Sequence, residues 1–331
     1  MNTIPPYMQA LQLQGIDQLV QVTLPVPVPK ENEVLIQTKA ATICTSDLHD
    51  ISSNPFGIQY PRVMGHEGAG IIVQCGAGVK ELKLGNRVAV HPVVPCGVCE
   101  ECMRGLGHLC SNMGHFGIDR DGCFAQYFLQ REDRVRKIPE DIPFAVGALL
   151  EPVAVCLEAV SRAGDMKDKT ALIVGDGPFG NIIARLAKRA GAQRVLVNGR
   201  TPFRLQMIPG AEILTAVPDR VADIAILAVG NAEAINTCMK ALRPRGRMVI
   251  FSSVHQPVSL DLFSVHVREL EIAGACNDEH KIDDALACIC DASLQLENIV
   301  THEIAFNDWK EAFDLASNGH DKALKVALVF N

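Results

Sequence analysis

The chain has 331 residues, of which 48% are hydrophobic and 21% charged, and its formal net charge is −7. This length is sufficient for two domains, each with its own core. A negative net charge disfavours binding to nucleic acid or anionic lipid, so we expect neither nucleic acid nor a membrane as a partner. The chain does not open with a basic segment followed by an apolar one, and no apolar run reaches about 18 residues. We therefore expect no signal peptide, no membrane span and a cytoplasmic protein.

Short runs of β-branched residues separated by glycine and proline fill the first 150 residues. The runs at 32–44, 68–79 and 85–94 are alternating or apolar and are bounded by turn residues, which predicts strands of a β-rich domain. Residues 25–33 carry three prolines. They are predicted to form an extended connection, because proline fits neither a helix interior nor a central strand.

Near residue 150 the pattern changes to apolar strands that alternate with helices. The predicted elements are a helix at 145–164, strand–helix–strand at 170–197, a second strand–helix–strand at 221–254 with its helix over 233–246, a strand at 270–275, helices at 281–290 and 306–319, and a terminal strand at 323–330. Buried strands joined by helices of this length predict right-handed βαβ units in a parallel sheet.

The first of these units contains the sequence "VGDGPFG", with Gly175, Gly177 and Gly180 in G-x-G-x-x-G spacing. The motif follows a predicted strand and opens a predicted helix, which is the context of a dinucleotide-binding turn. Glycines there let backbone amides approach a pyrophosphate, and the start of the helix favours its negative charge. The alternative is a tight turn with a purely structural purpose.

The end of the next strand indicates which dinucleotide binds. An NAD site has an acidic residue there for the ribose 2′-hydroxyl, whereas this chain has Asn198, Gly199 and Arg200, followed by Arg204. Two guanidinium groups suit a 2′-phosphate, so NADP(H) is favoured over NAD(H). The alternative is that both arginines are solvated surface residues. Further contacts to the cofactor are expected from Pro178, Phe179, Val229, Gly230, Ser252 and Ser253.

A lobe of four cysteines, Cys96, Cys99, Cys102 and Cys110, lies within fifteen residues in C-x2-C-x2-C-x7-C spacing. In a reducing compartment such a cluster is more often a metal site than a set of disulfides. Four thiolates can surround one tetrahedral zinc ion and leave no open position, which is typical of a structural site. A redox-active pair is the alternative.

A second group of metal-binding and proton-carrying side chains is spread along the chain. It comprises Cys44, Ser46, Asp47 and His49 in "ICTSDLHD", His66 and Glu67 in "VMGHEGAG", and Glu151 in "LLEPVAV". Together with the cysteine lobe and the glycine turn, this order of motifs resembles the zinc-containing medium-chain dehydrogenase/reductase (alcohol dehydrogenase) superfamily, in its polyol (sorbitol) and threonine dehydrogenase branch. The resemblance covers the whole chain.

The resemblance implies an α/β fold of two domains. A GroES-like, β-rich catalytic domain would comprise residues 1–150 and 278–331, and a Rossmann domain with a doubly wound parallel sheet would comprise residues 151–277. It also implies hydride transfer between a secondary alcohol or polyol, or the matching ketone, and a nicotinamide cofactor. Relatives are commonly dimers or tetramers, so a homo-dimer or homo-tetramer is expected.

The resemblance further assigns roles to the second group. Cys44 and His66 match two ligands of a catalytic zinc, and Glu67 matches an acid that either binds this zinc or supports its ligands. Glu151 matches the acid that replaces a third soft ligand in this branch. Ser46 matches the hydroxyl that touches the substrate alcohol, and His49 the outer end of a proton relay.

Other functions stay open at this point. One is an NAD(H)-dependent polyol, amino-alcohol or threonine-type dehydrogenase. Asp50 stands where the sorbitol enzymes carry an aromatic residue, and an acid there favours a polyhydroxylated or amino-bearing alcohol. The alternative is that Asp50 is a solvated loop residue. A different class is a non-catalytic nucleotide-binding protein, a redox sensor or structural protein on the same scaffold.

Overall fold

The computed structural model describes residues 3–254 and 256–331, and the chain forms two compact units. The β-rich unit comprises Met1–Pro152 and Ile282–Asn331, and the parallel-sheet unit comprises Val153–Lys281. The chain therefore leaves the β-rich unit once and returns to it for its last fifty residues. The predicted limits lay at 150/151 and 277/278, two and four residues before the limits of the units.

The elements of the described residues follow in chain order. The strands are β1 (Tyr7–Leu13), β2 (Leu19–Pro25), β3 (Glu33–Thr42), β4 (Arg62–Val63), β5 (Glu67–Cys75), β6 (Arg87–Val90), β7 (Val93–Val94), β8 (Gly114–His115), β9 (Tyr127–Arg131), β10 (Val135–Lys137), β11 (Thr170–Val174), β12 (Arg194–Asn198), β13 (Glu212–Leu214), β14 (Ala222–Leu227), β15 (Leu242–Ile250), β16 (Glu271–Gly274), β17 (Val300–Ala305) and β18 (Lys325–Val329). The helices are α1 (Thr45–Ser53), α2 (Glu100–Met103), α3 (Phe144–Gly147), α4 (Leu150–Arg162), α5 (Pro178–Arg189), α6 (Pro202–Gln206), α7 (Ala232–Ala241), α8 (Leu262–Arg268), α9 (Ile282–Ile289) and α10 (Trp309–Asn318).

The main sheet of the β-rich unit has the order β10-β6-β5-β3-β18-β17, with β9 also paired to β3. Strand β3 is buried along most of its length, because it has partners on both sides. The C-terminal strand β18 pairs antiparallel with β3 and parallel with β17, so it lies inside this sheet rather than at its edge. The end of the chain therefore completes the sheet on which the first part of the chain folds.

The parallel-sheet unit contains a sheet of six strands in the order β13-β12-β11-β14-β15-β16. Every neighbouring pair is parallel. Numbered within the unit, this order is 3-2-1-4-5-6, that of a Rossmann doubly wound fold, so this part of the predicted fold class is confirmed. The central strand β11 is buried at each of its five residues, which explains its unbroken apolar sequence.

One helix end and one strand illustrate where the structure differs from the sequence-based prediction. The helix predicted over 233–246 ends at Ala241, and residues 242–246 already belong to strand β15. Pro244 has no backbone amide for a helical hydrogen bond and favours an extended residue before it. Strand β17 was not predicted, because "VTHEIA" carries polar residues and lacks a clear apolar alternation.

One segment, Phe144–Arg162, is long and apolar enough to cross a membrane by length and composition. It covers α3 and α4, and 83% of its most apolar 18-residue stretch is buried inside the protein. Burial of this extent is what the core helix of a globular protein shows, so the segment is weak evidence for a membrane span.

The position of β18 generates a prediction about stability. Leu328 is fully buried in the core of the β-rich unit, and its truncation to Ala should lower the free energy of unfolding of this unit by about 2–5 kcal/mol through lost packing and an internal cavity. Leu84→Ala is the matched control, because this leucine is 51% exposed and its loss should cost about 0.5 kcal/mol or less. Urea denaturation followed by tryptophan fluorescence measures both. Equal destabilisation by the two changes would contradict a structural contribution of β18.

Candidate metal and nucleotide sites

Cys44 lies at the start of helix α1, as its N-cap residue with an extended backbone. Its backbone amide donates a hydrogen bond to Asp47 Oδ2 at 2.9 Å, and its sulfur accepts one from the backbone amide of Asp47. This reciprocal pair fixes the turn between β3 and α1. The start of a helix favours a negative charge, which suits a thiolate ligand.

Asp47 also supports His66, which precedes strand β5. The His66 Nδ1 and Asp47 Oδ1 atoms are 3.1 Å apart, and both side chains are buried. Burial alone would lower the pKa of His66, but the Asp47 carboxylate and the Cys44 thiol raise it well above its ordinary value. The surroundings therefore stabilise a positive charge at the position of this imidazole. A metal dication bound to the neutral ring would supply that charge at the same position.

One potential ligand atom each from Cys44, His66 and Glu67 lies within 4.8 Å of the others, and all three residues are buried. Sulfur, imidazole nitrogen and carboxylate oxygen are ordinary zinc ligands, and a set of three leaves one tetrahedral position open. The residues therefore fit a catalytic type of zinc site. Cys44 and His66, the two predicted ligands, are brought together by the fold although they are 22 positions apart.

Glu67 has a second set of contacts that the sequence did not indicate. The Lys325 ammonium lies 2.7 Å from the Glu67 carboxylate, and the Thr42 hydroxyl donates to the same carboxylate. Burial alone would lower the pKa of Lys325, but Glu67, Cys44 and Glu151 raise it. The ammonium is thus charged, and it compensates the buried acids around the proposed zinc ligands.

The other predicted residues of this site are placed by α1 and α4. Glu151 is buried in the first turn of α4 and lies close enough to Lys325 to act on its pKa, but it is not among the three residues whose donor atoms converge. Ser46 is half-buried and His49 exposed on α1, an order that suits the inner and outer ends of a proton relay.

The four cysteines of the lobe converge, since their sulfur atoms all lie within 4.8 Å of one another. Cys99 and Cys110 are 3.6 Å apart at sulfur, too far for a disulfide, and both are reduced. The Cys96 sulfur accepts hydrogen bonds from the backbone amides of Val98 and Cys99, which lower the pKa of the Cys96 thiol to about 6. Cys99 has a lowered pKa as well, mainly through a backbone hydrogen bond from Cys102.

Burial raises the pKa of the Cys102 thiol to about 12. Neighbouring thiolates repel one another unless a cation lies between them. This repulsion is consistent with two thiols of the lobe that ionise readily beside a third one that does not. The donor set fits a closed zinc site with four thiolate ligands.

The glycine turn connects β11 to α5 in the parallel-sheet unit. Gly175 has φ 128°, and a Cβ on it would lie 2.8 Å from the backbone of Ala228. A Cβ on Gly180 would lie 2.1 Å from the carbonyl oxygen of Gly175, so close packing requires both glycines. At Gly177, the N-cap of α5, a Cβ would meet nothing within 4 Å. Space in front of that backbone fits a pyrophosphate at the helix start.

The remaining predicted nucleotide contacts follow the carboxyl ends of neighbouring strands. Val229 and Gly230 follow β14, Ser252 and Ser253 follow β15, and a Cβ on Gly230 would lie 2.0 Å from the Ser253 carbonyl oxygen. Pro178 and Phe179 open α5 after β11. Since all of these strands are parallel and adjacent, these residues share one edge of the sheet.

At the end of β12, the Asn198 side-chain amide donates to the Leu214 carbonyl, and the Arg200 guanidinium lies 2.6 Å from Glu233. The Arg200 side chain is 82% exposed, whereas Arg204 is half-buried. Asp176 in the glycine turn accepts hydrogen bonds from the backbone amides of Arg200 and Thr201. The strand end itself has no acid, but the fold brings one there.

Sequence reasoning missed three residues that support these sites: Thr42, Asp176 and Lys325. It named Asp47 with Cys44 in "ICTSDLHD" but gave it no role, although it stands three positions after Cys44, where a helix N-cap partner is expected. The contacts of Thr42, Asp176 and Lys325 cross 25, 24 and 258 positions of the chain. No local pattern encodes such pairings.

Comparisons with known proteins agree with this architecture. Residues 30–140 match the family model of the alcohol dehydrogenase GroES-like domain, and residues 178–290 match that of zinc-binding dehydrogenases. The chain is 30% identical to a sorbitol dehydrogenase of Bacillus subtilis, covering 100% of this chain and 99% of that protein. It is 31% identical to an L-threonine 3-dehydrogenase of Pyrococcus abyssi, covering 91% and 92%. The GroES-like part of the predicted fold class is thereby confirmed as well.

Among solved structures, the chain resembles one of Sinorhizobium meliloti described as a putative zinc-binding dehydrogenase bound to NADP. The TM-score is 0.91 at 25% identity, and the match covers 98% of this chain and 99% of that one.

The cysteine lobe generates a prediction about metal content. Cys99→Ser should reduce the zinc content from about two ions per chain to about one and lower the thermal midpoint, because a closed site contributes its binding energy to folding. Cys290→Ser, an exposed cysteine outside the lobe, is the control and should keep both ions. Metal analysis by mass spectrometry and a thermal melt measure the two effects. Two zinc ions in the Cys99→Ser protein would contradict the assignment.

The buried ion pair generates a second prediction. Lys325→Met leaves the Glu67 carboxylate buried without its cation and should lower the free energy of unfolding by about 3–5 kcal/mol. Adding Glu67→Gln removes the uncompensated charge and should recover part of this loss. Urea denaturation at matched zinc content tests this, and additive effects of the two changes would contradict a direct pair.

Proposed function

The chain belongs to the zinc-containing medium-chain dehydrogenase family, in its polyol and threonine dehydrogenase branch, and is a zinc-dependent alcohol or polyol dehydrogenase. From this premise we propose that it transfers a hydride between a secondary alcohol or polyol, or the matching ketone, and a nicotinamide cofactor, with NADP(H) preferred. The observation that carries the proposal is the convergence of Cys44, His66 and Glu67 in a buried group with three donor types. A retired scaffold, such as a redox sensor or a structural protein, has no physical need for an open-sided metal site.

We propose that the metal, the cofactor and the protein side chains have separate chemical roles at the site. Bound zinc supplies a Lewis acid for the substrate oxygen, and bound nicotinamide supplies the hydride acceptor. Cys44 and His66 hold the metal, and Asp47 orients both of them through its two oxygens. Ser46 accepts the hydroxyl proton of the alcohol as it gives up its own proton, which exposed His49 passes to solvent.

Glu67 and Glu151 are the two predicted acids of the metal site. The Glu67 carboxylate is held by Lys325 and Thr42, which positions it beside Cys44 and His66 as the third donor of the converging set. Glu151, buried in the first turn of α4, is the alternative third ligand that the resemblance to the polyol and threonine branch implies.

The preference for NADP(H) rests on Arg200 and Arg204. Arg200 is paired with Glu233 in an exposed ion pair, and exposed pairs are worth about 0–1 kcal/mol, so the guanidinium is available to a 2′-phosphate. The structural relative from Sinorhizobium meliloti was solved with NADP, which supports the same choice. The second candidate is NAD(H), and the observation that favours it is the Asp176 carboxylate beside Arg200.

For the substrate, we propose a small molecule with several hydroxyl groups or an amino group. Asp50 is buried on α1 beside the zinc-ligand group, and burial together with the Asp47 carboxylate raises its pKa to about 7. A carboxyl group of this kind binds hydroxyl or ammonium groups in preference to an aliphatic chain. A screen of sugar alcohols, inositols and amino alcohols with both cofactors tests this, and turnover of simple aliphatic alcohols alone would overturn it.

We also propose a cytoplasmic homo-dimer or homo-tetramer. Leu262, Phe263 and Val267 of α8 are 53–74% exposed, and β16 beside them in sequence ends the parallel sheet. Covering such apolar area and an open strand edge favours self-association. Light scattering after size-exclusion chromatography measures the mass, and a monomer at micromolar concentration would overturn the proposal.

The cofactor proposal generates a prediction for Arg200. A charge-assisted hydrogen bond contributes about 1.5–3 kcal/mol, so Arg200→Ala should raise KM for NADP(H) by roughly ten- to a hundredfold and leave KM for NAD(H) nearly unchanged. Arg245→Ala is the matched control, because Arg245 of β15 forms a comparably exposed pair with Glu269. Steady-state kinetics with both cofactors measure the effect. A clear preference of the unsubstituted protein for NAD(H) would contradict the proposal.

A further inference from the structure

The glycine turn of this chain contains an acid whose carboxylate lies at the end of the neighbouring strand. Asp176 stands between Gly175 and Gly177, after β11. Its Oδ2 atom accepts hydrogen bonds from the backbone amides of Arg200 at 2.7 Å and Thr201 at 2.5 Å, immediately after β12. The side chain therefore spans the gap between the carboxyl ends of two adjacent parallel strands.

The absence of a side chain at Gly199 makes this arrangement possible. A Cβ on Gly199 would lie 2.5 Å from the Asp176 Cβ and 2.7 Å from its carboxylate carbon, closer than packing permits. The Asp176 side chain thus occupies the volume that a side chain at position 199 would take. An acid at the end of the second strand is what binds the ribose 2′-hydroxyl in NAD sites. Here a carboxylate reaches that place from the glycine turn instead.

The same carboxylate opposes a 2′-phosphate. The backbone amides of Arg200 and Thr201 are the donors that a phosphate at this turn would use, and Asp176 already engages both. A phosphate beside Arg200 would also meet the negative charge of Asp176. Glu233 adds a second acid, because it holds the Arg200 guanidinium at 2.6 Å. The cations that favour NADP(H) are therefore balanced by acids on two sides.

We propose that Asp176 is a specificity-determining residue for the nucleotide, which accepts the ribose 2′-hydroxyl and weakens the binding of a 2′-phosphate. This inference rests on the proposed function, since it requires a nicotinamide dinucleotide at the glycine turn. It assigns the selectivity between NADP(H) and NAD(H) to a balance of Arg200 against Asp176 rather than to the strand end alone.

Binding of reduced cofactor to the purified, zinc-loaded protein tests the proposal without turnover. Asp176→Asn removes the charge and keeps an oxygen that can accept from both amides. Its Kd for NADPH, from cofactor fluorescence, should fall roughly tenfold, the effect of one charge on one strong polar contact, while its Kd for NADH stays the same or rises. Asp168→Asn is the matched control, because Asp168 precedes the opposite end of β11 and should leave both constants unchanged.

Nucleotide fragments separate the ribose from the nicotinamide. Competition by 2′,5′-ADP should strengthen in Asp176→Asn relative to competition by 5′-AMP, since only the former carries the 2′-phosphate. An unchanged ratio of NADPH to NADH affinity in a protein that binds both would overturn this inference alone. Failure of the unsubstituted protein to bind either cofactor would overturn the proposed function, and the inference with it.

A second pair of variants decides the matter if Asp176→Asn does not fold. Asp176→Gly makes room at position 199, and adding Gly199→Asp returns a carboxylate to the strand end. Removal of the acid should tighten NADPH binding roughly tenfold, and the added aspartate should reverse this gain. Tight NADPH binding that persists in the double variant, or no gain in the single one, would overturn the proposal.

Discussion

The β-rich unit depends on one buried ion pair, that of Lys325 with Glu67. Both side chains are almost completely buried, with 2% of the Lys325 and 0% of the Glu67 side-chain surface exposed, and the two residues are 258 positions apart in sequence. Burying two charges costs several kcal/mol each, so the pair persists only where each charge finds its partner and its hydrogen bonds. Strands β3, β5 and β18 must therefore assemble in one register, because Thr42, Glu67 and Lys325 stand at their ends.

That register also fixes the metal site. Glu67 begins β5 and His66 precedes it, so the strand that carries the ion pair carries the imidazole as well. Cys44 follows β3 and begins α1, where Asp47 holds it and His66 together. Acids outnumber cations in this buried group, and a dication restores the balance. The charge arrangement and the donor geometry thus favour the same ligand, a zinc ion.

In the parallel-sheet unit, close packing around the glycine turn determines where the Asp176 side chain lies. Gly175 and Gly180 are required by close backbone packing, whereas Gly199 is required by the side chain of Asp176. The turn that presents its backbone to a pyrophosphate thereby also brings an acid to the neighbouring strand end. In the proposed role of Asp176, selectivity for the ribose depends on local electrostatics, on a scaffold whose central strand β11 is fully buried between parallel neighbours.

The sequence by itself determined the fold class, the cysteine lobe and the glycine turn, because each depends on spacing within a short segment or on a repeated apolar pattern. It also singled out Cys44 and His66 as predicted metal ligands, through local motifs and the family resemblance that these motifs carry. Only the tertiary structure decided the partners of Glu67, the strand β17 and the acid beside Arg200. These depend on side chains that meet across distant strands, Lys325 with Glu67 and Asp176 with the end of β12. The physical reason is that charge pairing and excluded volume act between neighbours in space, and local spacing in the chain does not record which strands become neighbours.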